Sequence, residues 1–95
     1  MTASNRYLVE PEEAVVERVL DDITLLYHRP SGQTHMVVSP VPEILDALRS
    51  DGAGDAGAVH GRLAISYDLG EADAAQAAIA QHLEEMAQLG LVRRL

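Results

Sequence analysis

The chain has 95 residues, a net charge of −8 at neutral pH, seven cations that are all arginine, and neither cysteine, tryptophan nor phenylalanine. That length sustains one hydrophobic core rather than two. The charge works against a phosphate-backbone partner, whose affinity comes largely from cationic neutralisation, and the lack of cysteine removes disulfides, thiolate nucleophiles and cysteine-based metal centres.

Hydrophobic residues make up 47% of the chain, but they are mostly Ala, Val and Leu. The aromatics are Tyr7, Tyr27 and Tyr67. Such a core is thin, and help from a partner would suit it. The opening MTASNRYLVEPEEAVV has no basic region followed by an apolar run, as a signal peptide would. No stretch approaches the roughly 20 apolar residues of a membrane span. The expectation is a soluble, cytoplasmic protein with no membrane partner.

Residues 1–13 are polar, carry Pro11 and three glutamates, and read as a loose arm that Tyr7, Leu8 and Val9 dock locally. A single domain is expected over 14–95. Its first three elements are strands over about 14–20, 23–28 and 34–38. Asp21–Asp22 supplies the first turn, through aspartate side chains that bond nearby amides, and Arg29 to Gln33, with Pro30 and Gly32, supplies the second. Connections this short favour an antiparallel meander. Alternation places Ile23, Leu25 and Tyr27 on one face and Thr24, Leu26 and His28 on the other. It likewise separates His35 and Val37 from Thr34, Met36 and Val38.

Three helices follow, over about 40–49, 58–67 and 72–89. Ser39 reads as the first N-cap, with Pro40 at the first helical position. Val41, Ile44, Leu45 and Leu48 then form one apolar stripe. Residues 51–57 are a small-residue loop. The second helix turns Val59, Leu63 and Tyr67 inward. The third is built from strong helix formers, with Ala75, Ile79, His82 or Leu83, and Met86 inward. It stops at Gly90, after which Leu91 and Val92 return to the core. Three strands followed by three helices make an α+β domain of the winged-helix class.

Catalysis finds no residues to use. His28 and His35 flank a loop, but His60 and His82 lie on other elements, without ligand spacing. Asp21–Asp22 is turn chemistry, Glu84–Glu85 a solvated helix face, and Ser31 and Ser39 have no base within sequence reach. The chain is expected to be no enzyme, to hold neither metal nor cofactor, and to act by binding.

The run Asp22 to Leu48 also carries a resemblance. Leu26–Tyr27 before the loop, Ser31–Gly32 within it, Thr34–His35 opening the next strand, and the helix Ile44-Leu45-Asp46-Ala47-Leu48 resemble PqqD-type proteins. These are the precursor-peptide chaperones also called RiPP recognition elements. The tyrosine, Ser-Gly, Thr-His combination is most similar to the branch associated with HPr-kinase-related protein A systems. Leu83 and the ending Leu89-Gly90-Leu91-Val92 are similar to that family's closing helix and tail. The resemblance covers about residues 14–92. Two departures are Met36-Val37-Val38-Ser39 in place of a Leu-rich, Asn/Asp-terminated turn, and the Ala/Gly loop 51–58.

The resemblance implies that a leader peptide adds as an extra strand along the third strand, beside a groove walled by the last helix. Carried onto this chain, the strand is Thr34, His35, Met36, Val37 and Val38, and the wall Ala75, Ile79, His82 and Met86. The partners are then a precursor peptide and a modifying enzyme or an HPr-kinase-related protein. The physics stands apart from the family: an edge strand exposes unpaired amides and carbonyls that an added peptide satisfies. The alternatives are a dimeric regulatory or scaffold subunit that pairs through the same edge or binds a kinase-like protein, and a winged-helix DNA-binding regulator. The acidic charge and a last helix without cations oppose the latter.

Overall fold

The computed structural model describes residues 5–11 and 14–95. Strands β1 (Tyr7–Val9), β2 (Val15–Leu20), β3 (Ile23–His28) and β4 (Gln33–Val37) precede helices α1 (Val41–Asp51), α2 (Ala56–Ala64) and α3 (Ala72–Gln88), and β5 (Val92–Arg94) closes the chain. The α+β class is as expected. The meander β2-β3-β4 is a three-stranded antiparallel sheet, while β1 and β5 form a separate antiparallel pair. β2 turns into β3 through Asp21 and Asp22, with Asp21 at φ 50°. That positive φ suits an aspartate better than a branched side chain.

Tyr7, Leu8 and Val9, expected to dock the N-terminal arm locally, do so as the strand β1. Tyr7–Val9 pairs with Val92–Arg94, and Tyr7 also exchanges backbone hydrogen bonds with Gly54 at 2.9 and 3.1 Å. Tyr7 is only 5% exposed. Burying its ring and satisfying its backbone twice over outweighs the polar character of the residues around it.

Helix boundaries shift for local reasons. Pro40, not Ser39, takes the N-cap position of α1, and no side chain caps it. The Val41 amide bonds back to the Val38 carbonyl, which leaves Ser39 one residue outside the helix. α2 begins earlier than expected because the Asp55 side chain accepts the Ala58 amide at 2.8 Å, an N-cap within the small-residue loop. It also ends earlier, at Ala64, so Tyr67 lies outside the helix and is exposed rather than inward.

The core joins all layers. Leu26 from β3, Ile44, Leu45 and Leu48 from α1, Val59 from α2, Leu83 from α3 and Leu91 from the tail are fully buried. The stripes expected on α1 and α3 are the stripes that pack.

The two faces of the meander follow from its register. The inner face, toward the helices, carries Val15, Glu17 and Val19, then Thr24, Leu26 and His28, then Gln33, His35 and Val37. The outer face carries Val16, Arg18 and Leu20, then Ile23, Leu25 and Tyr27, then Thr34 and Met36.

Candidate functional site

The meander has two edges, β2 and β4, because each pairs only with β3. Which backbone groups they present follows from one hydrogen bond. The Arg29 amide donates to the Ala14 carbonyl at 2.8 Å, one step beyond the Val15–His28 pair. Hydrogen-bonded and non-bonded pairs alternate along an antiparallel ladder. So Tyr27, Leu25 and Ile23 bond toward β2, and His28, Leu26 and Thr24 bond toward β4. Their β4 partners Gln33, His35 and Val37 therefore face β3. Thr34 and Met36 turn their amides and carbonyls outward, and among the described residues no backbone partner meets them.

By the same phase, β2 presents Val15, Glu17 and Val19 outward. Here the start of the edge is capped and its middle carries a charge. The Val15 amide donates to the Pro11 carbonyl at 3.2 Å, and the Glu17 carboxylate takes Arg49 of α1 at 3.3 Å. Charged side chains and local caps are how sheets blunt an edge. β4, reading QTHMV, carries no charged residue.

Of the expected strand residues, Thr34, Met36 and Val38 are exposed, Met36 at 69%. His35 and Val37 are half-buried on the inner face, and Val37 packs against the core. The His35 Nε2 is buried without a hydrogen-bond partner among the described residues. The expected helical wall divides in two. Ile79 and Met86 are 4% and 3% exposed and already belong to the core, whereas Ala75 and His82 are half-buried. The physical reason is spacing: the Ile79, Leu83 and Met86 stripe faces inward as a unit, and its flanks reach the surface.

The hairpin leading into β4 is braced. Ser31 Oγ lies 2.7 Å from His28 Nδ1 and accepts the Gln33 amide at 3.2 Å. The His28 ring rests on Gly90, which sits at φ +81°; a Cβ there would come within 2.8 Å of Nε2. Gly90 thus serves the helix end and the close approach of the ring together. Beyond β4, a depression of about 590 Å³ is lined by Val38, Ser39 and Pro42 and by the carboxylates of Asp21, Asp22, Glu43 and Asp46.

The β1–β5 pair is locked to α3. The Tyr7 hydroxyl donates to Glu84 at 3.0 Å, and Arg94 pairs with the same carboxylate. Arg94 first, and then Tyr7, hold the Glu84 carboxyl below its ordinary value. Sequence reasoning assigned Glu84 to a solvated face; its partners lie 77 residues before it and 10 after. The aromatic-aliphatic run Tyr7-Leu8-Val9 was the available signal for a strand.

Among the described residues, no cluster of three His, Asp or Glu side chains is arranged to hold a metal, and no helix is long and apolar enough to cross a membrane. The chain matches no family model, none of the curated proteins and no solved structure.

Proposed function

We propose that this chain is a non-catalytic peptide-binding domain, PqqD-like and related in arrangement to winged-helix domains. It captures a precursor peptide by strand addition along β4 and presents it to a modifying enzyme or an HPr-kinase-related partner. The observation that carries this reading is the open edge: Thr34 and Met36 turn outward amides and carbonyls that no backbone group among the described residues meets, from a strand without charge. An extended peptide satisfies those groups and gains one neighbour per ladder bond. Its alternate side chains fall on the inner face, beside His35, Val37 and the flanks of α3 at Ala75 and His82. Ile79 and Met86 are already packed into the core.

Past the end of the strand, the carboxylates around Val38 favour a peptide carrying Lys or Arg. α3 carries no cation along its whole length, which weighs against the recognition helix of a DNA-binding regulator.

The test is a backbone amide NMR titration with peptides encoded beside the gene. Shifts concentrated at Thr34–Val38 and Ala75–His82 are expected. Binding with shifts confined to other surfaces, or no binding by any neighbouring peptide, overturns the reading.

A further inference from the structure

The patterning of the meander is inverted. Its helix-covered inner face holds Glu17, Thr24, His28 and His35, while the face turned away from the helices is the more apolar one. Val16, Leu20, Tyr27 and Met36 are all exposed there, and Ile23 and Leu25 between them are half-buried. In an antiparallel sheet with one covered face, the uncovered face is ordinarily polar. An apolar one marks an interaction surface.

We infer that this outer face is the contact between two copies of the chain, packed sheet to sheet. Size is the first argument. Three strands at ~4.8 Å spacing and six residues at ~3.4 Å rise give a face about 14 by 20 Å. That is roughly 280 Å² in plan; with side chains standing out of it, Leu20 50% and Met36 69% exposed, the accessible patch reaches the range of roughly 300–600 Å². Two such faces bury about 600–1,200 Å², a range that spans the ~1,000 Å² of a specific interface and suits a weak dimer that forms at high concentration.

Charge is the second argument. The chain carries a net −8, yet the register places no carboxylate on this face. Two copies can therefore meet here without opposing their carboxylates. The register aligns Arg18, Leu25 and Met36 in one row across the sheet. A two-fold axis parallel to the strands sets Leu25 on Leu25 and lays the aliphatic stem of Arg18 over Met36 of the second copy, with its guanidinium at the rim. Aligned sheets pack this way about 10 Å apart. The outward groups of Thr34 and Met36 point along the sheet plane, so the dimer leaves the β4 edge open; this inference does not rest on the proposed peptide binding.

Sedimentation of the full chain across the micromolar-to-millimolar range tests it. The wild type is expected to reach twice its 10.2 kDa mass. Leu20→Glu and Met36→Glu, each retaining helical circular dichroism, are expected to weaken association at least about tenfold. Leu20 is on β2, away from the β4 edge, so its variant separates the two surfaces. A wild type that stays at 10.2 kDa throughout overturns the inference. So does a dimer that survives Leu20→Glu but fails in Met36→Pro, which locates the contact at the β4 edge instead.

Discussion

β2 and β4 are the two edges of one sheet, hydrogen-bonded to the same central strand, and they are finished differently. On β2, the Pro11 carbonyl takes the first outward amide, and Glu17 is drawn to Arg49. On β4, nothing among the described residues takes the outward groups of Thr34 and Met36. The contrast teaches that an open edge in this domain is not a by-product of small size. The same chain caps the start of one edge with a carbonyl and places an ion pair along it, and leaves the other without a charge, although the outward backbone groups of Glu17 and Val19 also meet no backbone partner among the described residues. An edge left plain beside a guarded one is the physical basis for reading β4 as a binding strand.

The largest effect is expected at the strand both edges share. Leu26, fully buried on β3, should cost about 2–5 kcal/mol when cut to alanine, read as a lower urea midpoint. A loss well under 1 kcal/mol would mean that β3 does not anchor both edges to the core.

The edges themselves are compared next, by proline at an outward amide of each. Met36→Pro should weaken peptide capture by about 1–3 kcal/mol, roughly 5- to 150-fold, by removing a ladder donor and constraining φ. Val19→Pro should leave capture unchanged, since its outward amide belongs to β2. Equal losses in the two variants, measured by calorimetric titration, would break the comparison.

Gly90→Ala should destabilise by about 1–2 kcal/mol from its positive φ alone, and further from contact with His28. In a double-mutant cycle, His28→Ala should recover the contact part and leave the φ part.

Glu84 extends the comparison to a place that touches neither edge. Its folded pKa is depressed, by Arg94 first and Tyr7 second. Its contribution is therefore complete above the ordinary carboxylate pKa and is lost as pH falls through the folded value. Glu84→Gln should melt below wild type at neutral pH, the two curves should converge in acid, and peptide capture should not change. Arg49→Ala is expected to do least. Its pair with Glu17 is partly exposed, so about 0–1 kcal/mol is at stake, with capture at β4 unaffected.

Much of this architecture was legible in local pattern. Val41, Ile44, Leu45 and Leu48 predict the packed stripe of α1, and Ile79, Leu83 and Met86 that of α3, because a 3.6-residue period needs only neighbours along the chain. The alternation of ITLLYH likewise separates the two faces of β3. Less visible was the fate of Tyr7, read as part of a loose arm. Its partners are Gly54, Glu84 and Arg94, and no window of sequence holds them together. Asp55 as a cap and Tyr67 as exposed were missed for a smaller reason, a helix boundary shifted by one side-chain hydrogen bond.

What the sequence by itself determined is the three strands of the meander and the three helices, their stripes, and the exclusion of thiolate and cysteine-metal chemistry, all properties of composition and short-range period. The tertiary structure alone decided the rest: that β1 closes on β5, that the apolar face of the meander points away from the helices, and that Thr34 and Met36 rather than His35 and Val37 turn their backbones outward. Hydrogen-bond phase and facing are set by which strand lies alongside and which helix lies above. Those are relations between residues far apart in the chain, and period alone carries no record of them.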